Sequence, residues 1–169
     1  FGAWVEQNAH PALSYTETSG VNTVVLESMD DLESVARSLA TTMNLFSAQM
    51  CTSPQNIYVP RGGVTVGGRR VSVDEVCDAI VAAFRAVVAE PRRAASILAT
   101  VQSPATLDLV GRMRDSGRRR GAVLLDSTPY AHPDFPAART ATPLLLRVAP
   151  AARDLYCEER FGPIGFVIE

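Results

Sequence analysis

Short runs of β-branched and aliphatic residues alternate along the chain with longer stretches in which apolar residues recur at helical spacing. The first run, Val21–Leu26, predicts a buried strand. The stretch from Asp30 to Ser47 predicts a helix with Ser28 and Asp30 as candidate caps, and Asn56–Val59 predicts a second strand. The connection is long enough for a parallel crossover. The alternation therefore predicts an α/β fold with a mostly parallel open sheet flanked by helices.

The remainder of the chain continues the same pattern. Ser72 and Glu75 form a capping-box signature at the start of a helix that we expect to be broken at Pro91. Glycine pairs on both sides of Val64–Val66 predict a small hairpin or an exposed insertion. The Pro- and Ala-rich stretch Ser127–Thr142 predicts a long loop, which is a candidate edge of a functional site. The other predicted elements are helices over Val73–Ala89 and Pro104–Arg119 and strands at Ala122–Leu125, Leu144–Val148 and Gly165–Ile168.

Hydrophobic residues make up 47% of the 169 positions, which is enough to bury the core of one globular domain. The formal net charge is -2, and all 16 basic residues are arginines. The only basic run, Arg118–Arg120, follows a helical pattern, and we interpret it as a solvated helix C-terminus in preference to a phosphate site. We therefore expect neither nucleic acid nor a membrane among the partners.

The three cysteines, Cys51, Cys77 and Cys157, have no C-x-x-C spacing, and the only histidines are His10 and His132. The sequence therefore predicts neither a disulfide framework nor structural zinc. It contains no run of 18 or more apolar residues, and its N-terminus has neither an initiator methionine nor a basic region that leads into an apolar stretch. We expect a soluble, cytoplasmic protein whose sequence here begins within a longer chain.

Cys51 and Glu17 are the candidate catalytic residues. Cys51 lies in a polar stretch shortly before the second predicted strand, and Glu17 lies shortly before the first. If these strands are parallel neighbours, both side chains emerge at the same edge of the sheet. A nearby carboxylate raises the pKa of a thiol, so the pair suits two-step chemistry in which the thiolate attacks first and the carboxylate later activates water against a thioester. From the residues alone, a buried or filler cysteine remains the alternative.

Two motifs around these residues resemble those of the aldehyde dehydrogenase family. The stretch from Gln49 to Val59 is similar to the family's G-Q-x-C-T-x-x-x-x-x-x-V signature around the nucleophile, with Ala48 where glycine is usual. Upstream, Glu17–Gly20 stands where the family has E-L-G-G, with Thr18 and Ser19 in place of Leu-Gly. Glu17 precedes Cys51 by 34 positions, as the family pattern requires.

A third motif, Glu158–Pro163, resembles the family's E-E-x-F-G-P motif. The resemblance implies that Cys51 is the nucleophile and Glu17 the general base. It also implies that Glu159 and Phe161 contact the ribose and nicotinamide side of an NAD or NADP cofactor, with no metal. The Cys51 backbone N–H would form half of an oxyanion hole.

The resemblance also implies a division of the chain and a substrate class. Residues 1–16 would be a remnant of the end of the cofactor-binding domain, and residues 17–169 would be the catalytic domain, incomplete at its C-terminus. The sequence is most similar to the aldehyde dehydrogenases of bacterial phenylacetic acid degradation. This similarity implies a semialdehyde substrate, which can be linked to coenzyme A, and a homo-oligomer. The alternatives are a CoA-acylating aldehyde dehydrogenase, a non-enzymatic oligomerisation module, and a cysteine hydrolase with His10 or His132.

Overall fold

A computed structural model of the chain describes residues 2–169. Within that range lie six α-helices and eight β-strands, together with a 3₁₀ turn over Leu45–Ala48. The helices are α1 Gly2–Asn8, α2 Leu32–Asn44, α3 Val73–Val88, α4 Pro91–Leu98, α5 Pro104–Arg120 and α6 Arg153–Tyr156. The strands are β1 Asn22–Val25, β2 Ser28–Met29, β3 Pro54–Tyr58, β4 Val64–Val66, β5 Arg69–Val71, β6 Gly121–Leu125, β7 Leu144–Val148 and β8 Ile164–Ile168.

The main sheet has five strands in the order β1-β3-β8-β7-β6. The pairs β1–β3, β3–β8 and β7–β8 are parallel, and only β6 runs antiparallel, to β7 at one edge. The predicted mostly parallel open sheet is therefore confirmed. A second sheet of three short strands has the order β2-β4-β5. The glycine-flanked segment is thus a hairpin of β4 and β5, and its first residue, Val64, is fully buried.

The hydrophobic core lies on both faces of the main sheet because alternate residues of each strand point to opposite faces. On one face, Ile57 and Leu145 pack with α2 and α3. On the other face, Leu144 and Leu146 pack with α5 and α6. Since the central strands have a core on both sides, β8 is a continuous apolar run and β7 is apolar except for Arg147, whereas β3 carries the polar pair Gln55 and Asn56.

Three details differ from the sequence predictions. The first strand is not buried, because β1 is an edge strand and Val25 on it is 69% exposed. The cap of α2 is Asp31, whose carboxylate accepts the Ser34 N–H, and neither Ser28 nor Asp30 serves. Finally, Pro91 does not simply end α3, because it opens the separate helix α4 behind the N-cap Glu90.

Two predicted helix boundaries are confirmed, the start of α3 by a capping box and the end of α5 by the position of the arginine run. Ser72 and Glu75 form the complete capping box of α3, with the Glu75 N–H donated to Ser72 Oγ and the Ser72 N–H donated to the Glu75 carboxylate. This exchange holds the pKa of Glu75 below its usual value. The arginine run ends α5, where Arg118 pairs with Asp126 and Arg120 with Asp154. None of the helices in residues 2–169 combines the length and the apolar character that crossing a bilayer requires.

Candidate active site

Cys51 and Glu17 lie at the same edge of the main sheet. β1 and β3 are parallel neighbours with Asn22 opposite Pro54, so their amino ends coincide. Glu17 lies in the segment that leads into β1, and Cys51 lies in the turn that leads into β3; both side chains are exposed. The predicted placement at the amino ends of two adjacent strands is confirmed. This edge is opposite to the carboxyl ends where ligands usually bind in open α/β sheets.

Hydrogen bonds join the three motif segments at this edge. Asn22 Nδ2 donates to the Cys51 carbonyl oxygen at 2.6 Å and to that of Ser53 at 3.3 Å. The Gly20 N–H donates to Glu159 Oε1 at 3.4 Å. The segment that follows Glu17 therefore contacts both the Cys51 turn and the Glu159 loop.

The turn before Cys51 has an unusual backbone. Phe46, Ser47 and Ala48 have φ angles of 53°, 55° and 52°, three consecutive left-handed residues without a glycine. That conformation brings Cβ too close to the following carbonyl oxygen, so residues other than glycine adopt it only where their surroundings hold it. Ala48 is the position at which the family signature usually has glycine, and the positive φ gives the physical reason for that preference.

Two buried amide side chains of β3 hold the loop that carries Glu159 and Phe161. Gln55 Nε2 donates to the Tyr156 and Glu158 carbonyl oxygens, each at 3.1 Å, and Gln55 Oε1 accepts the Arg160 N–H at 2.6 Å. The neighbouring Asn56 Nδ2 also donates to the Tyr156 carbonyl, at 3.0 Å. Buried polar groups must be satisfied, and here the loop satisfies them.

A crevice opens between these two parts of the site. Its lining includes Gly20, Met50, Ser53, Glu159 and Phe161. Glu159 is half-buried and accepts one long hydrogen bond, and Phe161 is 43% exposed, so a carboxylate and an aromatic ring both remain available to a ligand. A carboxylate accepts hydrogen bonds from hydroxyl groups and an aromatic ring packs on flat rings, so Glu159 and Phe161 are the groups at this edge that would hold a nicotinamide dinucleotide.

Glu17 lines a neighbouring cleft instead, between the segment Ser14–Ser19 and α1. Within residues 2–169, its carboxylate makes neither a hydrogen bond nor an ion pair. The structure thus brings Glu159 and Phe161 to the crevice beside the Cys51 turn, and it leaves Glu17 at the same edge but in the next cleft.

The three cysteines differ in exposure. Cys51 and Cys157 are exposed, whereas Cys77 lies on the buried face of α3 in the core. Burial raises the pKa of the Cys77 thiol to about 11, because the charged thiolate is poorly solvated there. Cys77 is therefore a structural residue, as its place in an apolar helix face indicates.

Sequence reasoning missed the residues that hold the site together. Asn22, Gln49, Gln55 and Asn56 all donate side-chain hydrogen bonds to distant backbone carbonyls. One signal was available for Gln55 and Asn56, because two adjacent polar residues open a strand whose other positions are apolar. No comparable signal marks Asn22, whose partner Cys51 lies about 30 positions away. Gln49 belongs to the family signature, but the signature does not indicate its partner Thr100, about 50 positions away.

Comparison with known proteins gives both a family and a set of similar structures. A family model described as "Aldehyde dehydrogenase family" matches residues 5–169. The crystal structure of an NAD-dependent aldehyde dehydrogenase from Burkholderia multivorans is 43% identical, with a TM-score of 0.91 over 99% of this chain. No match was found among the curated proteins.

More distant structures share the fold. A gamma-glutamyl-gamma-aminobutyraldehyde dehydrogenase from Burkholderia cenocepacia is 23% identical, with a TM-score of 0.67 over 90% of this chain. A putative methylmalonate-semialdehyde dehydrogenase from Sinorhizobium meliloti, complexed with NAD, is 14% identical, with a TM-score of 0.63 over 89% of this chain. The chain spans 29% of the length of each of these three structures.

Proposed function

The chain belongs to the aldehyde dehydrogenase family, and from this premise we propose that the whole protein oxidises an aldehyde to a carboxylic acid through a thioester on Cys51. The hydrogen bonds that join the Glu17, Cys51 and Glu159 segments at one sheet edge are the observation that carries the proposal. The three motifs are far apart in sequence, and their convergence is what a shared site requires.

In the first half-reaction, the Cys51 thiolate attacks the aldehyde carbon. The carbonyl oxygen becomes an oxyanion, and the Cys51 N–H donates a hydrogen bond to it. When bound, a nicotinamide cofactor, NAD or NADP, would supply the acceptor for the hydride that leaves this carbon as the carbonyl re-forms in the thioester. Glu159 would hold the ribose hydroxyls of that cofactor, and Phe161 would pack against its nicotinamide side.

In the second half-reaction, Glu17 acts as the general base. Its carboxylate takes a proton from a water molecule, the water oxygen attacks the thioester carbon, and the carbon–sulfur bond breaks to release the acid and the Cys51 thiolate. The exposure of Glu17 and its lack of a partner within residues 2–169 support this role, because the carboxylate remains open to water. Transfer of the acyl group to coenzyme A would not need this base, so Glu17 favours hydrolysis.

The finer assignments extend the proposal. The 43% identity to a protein described as NAD-dependent supports NAD as the cofactor. Sequence similarity to the phenylacetate-degradation enzymes supports a semialdehyde substrate, free or linked to coenzyme A. The similar segments are Phe1–Trp4, Val21–Val25 and Cys51–Asn56. We also propose that the protein is a homo-oligomer and that the domain boundary lies between residues 16 and 17.

Substitution in the whole protein tests the two roles. Cys51→Ala should abolish steady turnover, whereas Glu17→Gln should give a single burst of reduced cofactor and then stall, because the base acts mainly in deacylation. Stopped-flow absorbance of the reduced nicotinamide measures both. Cys157→Ala, which removes the other exposed thiol, is the control and should retain full turnover. Normal steady turnover in Glu17→Gln would exclude Glu17 as the deacylation base.

A second test uses the 169-residue chain alone. We expect it not to oxidise aldehydes with either cofactor, because Glu159 and Phe161 supply only one wall of the cofactor site and positioning is worth several kcal/mol of the barrier, on the order of 7–11 in well-oriented systems. The measurement is absorbance of the reduced cofactor with several aldehydes. Sustained turnover that disappears in Cys51→Ala would contradict this expectation, and turnover that persists in it would contradict the role of Cys51.

A further inference from the structure

Two amide side chains bracket the main chain at Cys51. Asn22 approaches from β1 and donates both protons of its amide nitrogen, to the carbonyl oxygens of Cys51 and Ser53. It thereby fixes the peptide group that follows the cysteine. Asn22 is the first residue of β1, so this hydrogen bond fixes the position of the peptide group relative to the main sheet.

Gln49 acts on the other side of the cysteine. Its Nε2 donates to the carbonyl oxygens of Phe46 and Thr100, both at 2.9 Å. Its Oε1 accepts the Gln102 N–H at 2.8 Å. Donors and acceptor of this side chain are therefore all engaged, and they bridge the Cys51 turn to the segment 98–102.

The segment 98–102 is itself held from behind by the long loop that follows β6. Tyr130 Oη donates to the Ala99 carbonyl oxygen at 2.5 Å. Arg139 Nε and Nη2 donate to the carbonyl oxygens of Val101 and Gln102 at 3.1 and 2.8 Å, and the Val101 N–H returns a bond to the Arg139 carbonyl. The segment that Gln49 contacts is thus held in place, although only its first residue, Leu98, belongs to a helix.

The turn needs such support because its own backbone is unfavourable. Phe46, Ser47 and Ala48 are all left-handed. In addition to the Gln49 bonds, the Ser47 hydroxyl donates to the Leu98 carbonyl oxygen at 2.6 Å and so joins the turn to the segment 98–102. A turn of this kind relaxes when the contacts that hold it are removed.

From these contacts we infer that Asn22 and Gln49 are positioning residues for Cys51, which they orient from its two sides through the main chain. Neither would touch the substrate. Their effect on turnover rests on the proposed function, in which the sulfur and the Cys51 N–H must meet the aldehyde in one geometry. Their effect on the order of the turn does not depend on that function.

Amide hydrogen exchange on the 169-residue chain tests the order of the turn. Suitable reporters are the amides of Gln49 and Ser53, which bond within the turn to Phe46 and Met50. We expect them to exchange about fivefold faster in Asn22→Ala and in Gln49→Leu, the factor for loss of about one neutral hydrogen bond. Asn8→Ala and Gln7→Leu, which make matched changes on α1, should leave both amides unchanged.

Asn22→Asp adds a pH profile that a general loss of stability would not produce. The ionised carboxylate cannot donate to the two carbonyl oxygens, but the protonated form can donate one bond. The excess exchange in Asn22→Asp should therefore fall as the pH is lowered through the carboxyl titration, after correction for the intrinsic rate. In Asn22→Ala the excess should stay constant.

The whole protein supplies the second readout. Asn22→Ala and Gln49→Leu should lower kcat about tenfold or more and leave the KM for the cofactor within about twofold, since the Asn22 and Gln49 side chains bond to neither Glu159 nor Phe161. Unchanged exchange in the turn, or faster exchange that extends equally to β7 and β8, would overturn the positioning role. A wild-type protein without dehydrogenase activity would overturn the proposed function alone, because exchange still decides the order of the turn.

Discussion

The helical layer formed by α2 and α3 and the turn that carries Cys51, which directly follows α2, are stabilised by different means. In the layer, apolar residues at helical spacing pack on the sheet, and regular caps satisfy the helix ends. In the turn, left-handed residues are held by side-chain amides and a hydroxyl that bond to distant backbone carbonyls. The layer is held by buried area and the turn by individual hydrogen bonds.

This difference has a consequence for function. Removal of one side chain from the layer should reduce the stability of the whole domain, because the core is shared by many residues. Removal of one hydrogen bond from the turn should change local order and leave the domain folded. The orientation of a residue in the turn can therefore change with little effect on the stability of the domain.

The largest expected effect is on the layer. Phe84→Ala removes a ring that is 1% exposed, and we expect it to lower the free energy of unfolding by about 3–5 kcal/mol through lost burial and the cavity left behind. Denaturant unfolding followed by circular dichroism measures the change. Phe135→Ala, in which the lost ring is 63% exposed, should alter stability by less than about 0.5 kcal/mol. Equal effects of the two substitutions would mean that burial does not distinguish these positions.

The next largest effect is a difference in thiol reactivity between Cys51 in the turn and Cys77 in the helical layer. At pH 8, iodoacetamide should modify Cys51 at least about a hundredfold faster than Cys77. The buried Cys77 has a pKa of about 11, so only a small fraction is thiolate, and the reagent cannot reach it without opening of the core. Peptide mass spectrometry gives both rates, with the exposed Cys157 as an internal reference. Comparable rates for Cys51 and Cys77 would show that the α3 core opens readily.

The smallest effect should have opposite signs in the two regions. Ala48→Gly relieves a left-handed residue and should raise the free energy of unfolding by about 0.5 kcal/mol, since relief of about 1–2 kcal/mol exceeds the penalty for glycine. Ala40→Gly, in the interior of α2, should lower it by about 1–2 kcal/mol, because the loss of a buried methyl group adds to the helix penalty of glycine. Thermal and denaturant unfolding measure both variants. A loss of stability in Ala48→Gly would show that the alanine methyl, which is also buried, contributes more than the strain it causes.

The regular part of the fold could be predicted from the sequence. The apolar runs at Leu144–Val148 and Gly165–Ile168 predict β7 and β8 to within one residue, and the capping box predicts the start of α3. The edge position of β1 could not be predicted in the same way. A β-branched run looks alike at the edge and at the centre of a sheet, and only the strand order leaves Val25 exposed.

In the candidate site, too, some features follow from the sequence and others only from the tertiary structure. Sequence by itself determined the identity and order of the motif residues, and through the strand–helix–strand pattern it determined that Glu17 and Cys51 precede neighbouring strands. Only the tertiary structure decided which side chains hold them: Asn22 and Gln49 at the cysteine turn, and Gln55 at the Glu159 loop. The physical reason is that apolar periodicity is a local property, repeated every few residues along the chain. A single hydrogen bond between an amide and a carbonyl many positions away has no period, and it exists only after the chain has folded.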